Sequence, residues 1–92
     1  MKIQLRITTK DIRVGKTRNG YECPVARALQ RAIPNATDIH AGGIWLKFRI
    51  DKRYHELDTP KEVSAWMARF DRDDEVKPFR ITIDEMERIW GM

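Results

Sequence analysis

The fold is decided by the stretch Ala36–Ile50, ATDIHAGGIWLKFRI, in which two glycines divide a pair of short segments. Apolar and polar side chains alternate along Ile44–Ile50, which is the period of a strand that buries one face. The Gly-Gly pair before it tolerates positive φ and favours a tight turn. The preceding Thr37–Ala41 is then the natural partner strand. The sequence therefore predicts an antiparallel hairpin in the middle of the chain.

The residues before the hairpin predict one strand and one helix. Lys2–Thr8 alternates between polar and apolar side chains, as a half-buried strand does. Thr9–Tyr21 carries glycines and an Asn-Gly turn signal, and it is predicted to be a loop. From Pro24 to Ile33 the apolar residues recur at spacings of three and four, which indicates an amphipathic helix. Because proline suits the first helical position, Cys23 is placed at or near the N-cap.

A second helix is predicted after the hairpin, and several residues mark its start. Thr59 is a good N-cap, and Glu62 three residues later completes a capping box. Pro60 fits the first helical position between them. The apolar face of this helix consists of Val63, Trp66, Met67 and Phe70.

Further strands flank this second helix. A turn at Asp51–Lys52 leads into a short strand that runs to Leu57, and Phe79–Ile83 alternates as a last strand. Asp84–Met92 is predicted to be a terminal helical turn. The element order is β-α-β-β-(β)-α-β within a single domain, residues 1–92. This order predicts an α+β fold: an antiparallel or mixed sheet of four to five strands with two helices on one face, ferredoxin-like or close to it.

The composition restricts the class of protein. Hydrophobic residues make up 41% of the chain and charged residues 35%, which is typical of a globular chain and not of a disordered one. No apolar run approaches the length of about 18 residues that a membrane span needs. The opening residues also lack the continuous apolar block of a signal peptide. Since a single cysteine cannot form an internal disulfide, we predict a soluble cytoplasmic protein that does not bind membranes.

The net charge of +4 is unevenly distributed along the chain. The first 31 residues contain eight Lys and Arg against two acidic residues, whereas the remaining 61 contain ten against twelve. A basic front half favours an anionic partner, nucleic acid or a nucleoprotein, although a solvated surface with scattered charge explains it as well. The open side of a sheet covered on one face only would be a cationic face that could bind phosphates and stack one base or ring. It would show Lys2, Gln4, Arg6, Trp45, Lys47, Arg49 and Arg80. The candidate nucleic-acid contacts are Arg13, Lys16, Arg18, Arg27, Arg31, Lys47 and Arg49.

The lone cysteine raises the alternative of an enzyme. A thiol at a helix N-terminus feels the macrodipole, which lowers its pKa and favours the thiolate. A nucleophile also needs a base, and only His40 and His55 are available, neither in a recognisable catalytic context. The three residues lack the spacing of a metal site, and no glycine-rich nucleotide motif is present. We therefore predict a non-catalytic protein without cofactor or metal, and we keep an enzyme that uses Cys23 as an alternative.

The segment that contains the cysteine also resembles a known family. The motif Cys-Pro-Val-Ala-x-Ala-Leu, residues 23–29, is similar to one found in small uncharacterised proteins of phages and prophages. The resemblance extends over about residues 1–83 and does not include the terminal DEMERIWGM. It implies a viral origin but brings no activity, cofactor or catalytic residue. The segments that carry it are MKIQLRIT, TKDIRVG, ECPVARALQRAIP, ELDTPKEVSAWMARFD and VKPFRITI.

A phage-type chain of this size suggests a second alternative, a modulator or inhibitor that docks on a host protein. Tryptophan is a favoured anchor in protein interfaces, and Trp45 and Trp90 are the candidate anchors on this chain. Three tryptophans are also a heavy apolar load for one thin layer of helices. This load favours a homodimer that buries the open side of the sheet.

Overall fold

The computed structural model describes residues 1–91, which form six strands and three helices. The predicted α+β class is confirmed. In chain order the elements are β1 (Lys2–Ile7), α1 (Thr9–Val14), α2 (Pro24–Ala32), β2 (Thr37–Ala41), β3 (Trp45–Ile50), β4 (Arg53–Asp58), α3 (Lys61–Asp71), β5 (Phe79–Asp84) and β6 (Arg88–Gly91).

The strands form two antiparallel sheets, and not the single sheet that the sequence predicted. β1 pairs with β5 alone, with Lys2 opposite Asp84 and Ile7 opposite Phe79. The hairpin of β2 and β3 continues through β4 to β6, which is an edge strand. Helix α2 packs against both β1 and β2, so it bridges the two sheets. The ferredoxin-like arrangement is therefore wrong, because it needs β1 and β5 to lie beside the hairpin strands.

One hydrophobic core is shared by both sheets and by helices α2 and α3. The alternation predicted for β1 is confirmed, since Ile3, Leu5 and Ile7 are all buried. Leu29 of α2 and Phe48 of β3 are buried in the same core. Full burial of one such side chain contributes about 1.5–3 kcal/mol, so packing across the two sheets holds this small chain together.

The segment Thr9–Val14 is a short helix, although the sequence analysis predicted a loop. The Thr8 hydroxyl accepts a hydrogen bond from the Asp11 backbone N–H at 3.2 Å. The Asp11 carboxylate in turn accepts one from the Thr8 backbone N–H at 2.9 Å. This reciprocal capping box satisfies two N–H groups at the helix start. The Thr-x-x-Asp spacing carries the signal for α1, and the turn residues that follow it obscure that signal.

Residues Arg88–Gly91 form strand β6 and not the predicted helical turn, whose last residue, Met92, lies outside the described residues. Trp90 lies opposite Tyr54 of β4, and the two rings stack with centroids 5.8 Å apart. An isolated helix shorter than about 12 residues is marginal in water, so local preference at this end is weak. The free edge of β4 supplies backbone hydrogen bonds, and pairing with it decides the conformation.

Helix α3 begins at Lys61 without the predicted capping box. Pro60 is the N-cap residue, and the Thr59 hydroxyl donates to the Gly42 carbonyl oxygen at 2.7 Å. The Thr59 backbone N–H donates to the Ile44 carbonyl oxygen at 2.8 Å. These two bonds attach the start of α3 to the turn between β2 and β3.

The β2–β3 turn forms without the positive φ that its glycines allow. No glycine among residues 1–91 has a positive φ, whereas Asp38 in β2 (φ 51°) and Asp51 between β3 and β4 (φ 56°) do. The register of β2 against β3 shifts between Thr37 and His40, which marks a bulge in this edge strand. No helix in the described part of the chain is long and apolar enough to cross a membrane.

Candidate functional site

Two of the predicted nucleic-acid contacts, Arg27 and Arg31, are bound to a buried carboxylate. Asp11 is 0% exposed, and its two carboxylate oxygens accept hydrogen bonds from Arg31 at 2.6 and 3.2 Å. The Nε of Arg27 lies 3.3 Å from the same carboxylate. Arg31 also donates to the Arg6 carbonyl oxygen at 2.6 Å. We call Asp11, Arg27 and Arg31 the buried ion cluster, which ties α1 to α2 and β1.

The buried ion cluster keeps Asp11 ionised. Burial by itself raises the pKa of this carboxyl group, but the hydrogen bonds from Arg31 and Thr8 outweigh burial and lower the pKa of Asp11 from 3.8 to about 2. The same bond raises the pKa of Arg31. Both arginines are therefore held by the protein's own carboxylate, which balances one of their two positive charges and leaves the cluster with a net charge of +1.

Three further predicted contacts lie on α1 and in the loop after it. Lys16 forms an exposed ion pair with Glu22 at 2.7 Å, which raises the pKa of Lys16. The Arg18 guanidinium donates to the Asp71 carbonyl oxygen at 2.6 Å, and its backbone N–H donates to the Asp71 carboxylate at 2.9 Å. Arg18 thus fastens the loop to the end of α3. Arg13 is exposed and has no ion pair among residues 1–91.

The hairpin face that was predicted to be cationic is nearly balanced in charge. Lys47 lies 3.6 Å from Glu56, and Arg49 lies 3.4 Å from Asp38. Arg88 of β6 donates to Glu56 at 2.7 Å. A face on which each cation has a carboxylate beside it attracts a polyanion weakly. We call this side of the four-stranded sheet the outer face; along β3, β4 and β6 it consists of Trp45, Lys47, Arg49, Tyr54, Glu56, Asp58, Arg88 and Trp90.

Both predicted protein anchors are exposed on the outer face. Trp45 is 45% exposed and Trp90 is 48% exposed. Trp45 lies opposite Asp58 and Trp90 lies opposite Tyr54, so the two rings are at opposite ends of β4. The Nζ of Lys47 is 5.1 Å from the centroid of the Trp45 ring. The two tryptophans therefore belong to separate regions of one surface.

Three cations without an ion pair meet where β1 ends and β5 begins. Arg6 of β1 lies directly opposite Arg80 of β5, and Lys10 of α1 borders the same cleft of about 430 Å³. All three side chains are exposed, and none forms an ion pair within residues 1–91. We call this cleft the basic cleft; it is lined by Arg6, Ile7, Thr8, Thr9, Lys10, Pro78, Phe79 and Arg80.

A second cleft of about 590 Å³ adjoins the basic cleft, and Phe79 lines both. Two cations, Arg69 and Lys77, and one acidic residue, Glu75, border this adjoining cleft. The Trp66 indole N–H donates to the Lys77 carbonyl oxygen at 2.9 Å, and Arg69 donates to the Glu75 carbonyl oxygen at 2.9 Å. These bonds hold the segment before β5 against α3 and so shape the wall of the cleft.

Sequence reasoning did not place Arg6, Lys10 and Arg80 in one site. The sequence analysis placed Arg6 and Arg80 on one open cationic face together with the hairpin cations. It did not include Lys10, and it did not separate β1 and β5 from the hairpin sheet. Like charges directly opposite each other on paired strands are destabilising, and a bound anion removes that penalty. Guanidinium groups bind phosphate oxygens through two parallel hydrogen bonds, so the chemistry of the cleft suits a phosphate.

The thiol of Cys23 is buried at the start of α2. The predicted N-cap position is confirmed, with Pro24 in the first turn of α2, and the Cys23 residue is 5% exposed. Burial raises the pKa of the thiol, and backbone N–H groups of Ala26 and Val25 offset only part of that effect. His40 lines the same pocket of about 150 Å³ but forms no hydrogen bond with the thiol. Within residues 1–91 no group of three His, Cys, Asp or Glu side chains is arranged to hold a metal ion.

Comparisons of the chain with protein-family models, with curated proteins and with solved structures find no match. The resemblance to small phage proteins therefore stays a prediction. The function has to be argued from the distribution of charge and exposure on this chain alone.

Proposed function

We propose that this chain is a non-catalytic binding protein for nucleic acid, with phosphates held in the basic cleft. The observation that carries the proposal is the set of three cations, Arg6, Lys10 and Arg80, that have no carboxylate partner among residues 1–91. A cluster of arginine and lysine side chains binds phosphate groups well, and phosphate groups form the backbone of a nucleic acid. The predicted anionic partner is kept, but the contact residues move from α2 and the hairpin to the basic cleft.

Binding at the basic cleft has an electrostatic driving force. Two arginines held directly opposite each other lower the free energy of unfolding by about 0.2–1 kcal/mol relative to a neutral pair. A phosphate between Arg6 and Arg80 accepts hydrogen bonds from both and reverses that repulsion. Each neutralised phosphate also releases counterions. Three contacts give a slope of about −2 for the logarithm of the binding constant against the logarithm of salt concentration on a single strand.

The adjoining cleft favours a single strand over a duplex. Phe79 is half-buried at the junction of the two clefts, where an unstacked base can pack on its ring. In a duplex the bases are stacked inside the helix and cannot reach this ring. Arg69 and Lys77 border the continuation of the groove beyond Phe79, so a strand that leaves the basic cleft meets further positive charge.

A cellular setting follows from this function and from the predicted viral origin. If the resemblance to phage proteins is correct, the protein acts in the cytoplasm of an infected host cell. Viral and host single strands are both present there during replication and transcription.

The proposal is tested by titrating a fluorescent 12-nucleotide single strand and the matching duplex at about 50 to 200 mM salt. Substitution of Arg6, Lys10 or Arg80 by Gln should each weaken binding of the single strand about tenfold and reduce the salt slope by about 0.7. Arg13→Gln is the matched control, because Arg13 is exposed on the same helix as Lys10 but does not line the cleft. It should weaken binding less than twofold. Equal losses for Lys10→Gln and Arg13→Gln, or no binding at 50 mM salt, would refute the proposal.

Docking on a host protein is the second candidate function. It is favoured by the exposure of Trp45 on a nearly neutral outer face, since neutral aromatic surfaces suit protein partners. Trp45→Ala would then abolish capture of the partner while leaving nucleic-acid affinity unchanged. The third candidate, an enzyme that uses Cys23, gains no support from a buried thiol with a raised pKa.

A further inference from the structure

The two edges of the four-stranded sheet are protected to different degrees. The β2 edge is interrupted by the bulge at Asp38, and the Ala41 N–H donates to the Gly20 carbonyl oxygen at 2.8 Å. The β6 edge has no proline, no lysine and no bulge. Within residues 1–91 no backbone hydrogen bond forms on the side of β6 that faces away from β4. An edge left open in this way pairs readily with another strand.

Apolar side chains are exposed along the same edge. Ile89 and Trp90 are each 48% exposed, and Met86, two residues before the strand, is 88% exposed. Single exposed apolar residues are common on monomers, but Ile89 and Trp90 are consecutive on an open edge. Ile89 projects towards the core side of the sheet and Trp90 towards the outer face. An added strand would therefore cover apolar surface on both sides of the sheet.

We propose that β6 pairs antiparallel with β6 of a second copy of this chain, around a twofold axis through Ile89. In this register Ile89 lies opposite its own counterpart, and Arg88 lies opposite Trp90 of the second copy on the outer face. Arg88 is already bound to Glu56 at 2.7 Å and to Asp58 at 3.0 Å. Its charge is therefore balanced within each copy, and its planar guanidinium can pack against the indole ring.

The alternative register, centred on Trp90, is less favourable. It would place Ile89 opposite Gly91, so the apolar side chain would gain no cross-strand neighbour. The register centred on Ile89 gives every apolar side chain of β6 a partner. A self-complementary patch of this kind is what a twofold dimer requires.

The proposed dimer is small and should be concentration-dependent. A strand of four residues covers much less than the roughly 800 Å² per partner of a standard interface. It also differs from the dimer predicted from the sequence, because it joins two sheets edge to edge and leaves their open sides accessible. The basic cleft lies on the other sheet, so this inference stands independently of the nucleic-acid proposal.

The mass in solution is the first test. Sedimentation equilibrium of the 10.9 kDa chain should show the mean mass rising towards twice that value between about 5 and 500 μM protein. Ile89→Glu places two carboxylates against each other on the axis and should keep the mass at 10.9 kDa throughout. Trp45→Ala is the matched control, since Trp45 is a similarly exposed tryptophan on the outer face and away from β6. This variant should behave like the unmodified chain.

Crosslinking is the second test, and it reports the register. In the Cys23→Ser background, the Ile89→Cys variant should form an intermolecular disulfide on mild oxidation, because paired Cα atoms on the axis are about 5 Å apart. The Trp45→Cys variant should crosslink at least tenfold more slowly. The proposal is overturned if the unmodified chain stays at 10.9 kDa at every concentration. It is also overturned if Trp45→Ala dissociates the dimer, or if the two cysteine variants crosslink at equal rates.

Discussion

The buried ion cluster and the basic cleft are built from the same residue types and behave differently. In the cluster two arginines share Asp11, a carboxylate that is 0% exposed and whose pKa is lowered to about 2. In the cleft Arg6, Lys10 and Arg80 have no carboxylate among residues 1–91. The first arrangement stabilises the fold, and the second leaves charge for a partner. Under the proposed function, the position of the nearest carboxylate, and not the number of cations, separates an arginine that supports the fold from one that binds phosphate.

Among substitutions in the two regions, removal of the Asp11 carboxylate should have the largest effect on the free energy of unfolding. Asp11→Asn leaves Arg27 and Arg31 without their anion and weakens the capping box of α1. We expect the free energy of unfolding to fall by about 3 kcal/mol, measured by urea denaturation at pH 7. Glu22→Gln breaks the exposed pair with Lys16 and is the control, with an expected loss below about 0.5 kcal/mol. Equal losses in the two variants would mean that the cluster stabilises no more than a surface pair.

The direction in which the free energy of unfolding changes with pH should identify the contribution of Asp11. The pKa of Asp11 is about 2 in the native state against 3.8 without the fold, so the unfolded chain takes up the proton first. The contribution of Asp11 is therefore complete above about pH 4 and is lost as the pH falls towards 2. The difference in free energy of unfolding between the unmodified chain and Asp11→Asn should shrink by about 2 kcal/mol between pH 5 and pH 2. A difference that stays constant over this range would contradict the assignment.

A cation of the basic cleft should show the opposite effect on stability, and a smaller one. Arg80→Gln removes the repulsion with Arg6 and should raise the free energy of unfolding by about 0.5 kcal/mol at low salt. The same variant should bind the single strand about tenfold more weakly, by the titration described above. Arg13→Gln should change neither quantity. A loss of stability in Arg80→Gln would show that this arginine supports the fold and that the two regions do not differ in kind.

Several elements could be predicted from the sequence because their signals are local. The alternation along Lys2–Ile7 and Trp45–Ile50 and the proline at the start of α2 all correspond to the structure. The capping box at Thr59 failed because the Thr59 hydroxyl binds the Gly42 carbonyl oxygen, which is near only after folding. The strand at Arg88–Gly91 was missed for the same kind of reason, since the edge of β4 that it pairs with is distant in sequence.

The sequence predicted that the candidate site would be cationic, but it did not predict which cations come together there. An excess of cations in the front half pointed to an anionic partner, and Arg6 and Lys10 belong to that half. Their meeting with Arg80 depends on the β1–β5 pairing, which joins residues more than seventy positions apart. Arg27 and Arg31 looked like free charges because their partner Asp11 lies in a segment that was predicted to be a loop.

By itself the sequence determined the class of fold, the periods of its strands and helices, and a positive charge in its first third. Those properties come from side chains a few residues apart, where the geometry of the backbone fixes which of them share a face. The tertiary structure alone decided that the strands form two sheets, that Asp11 holds two arginines, and that three cations without an ion pair meet at one cleft. Those outcomes depend on distances across the fold, and an electrostatic interaction is set by distance and burial and not by separation along the chain.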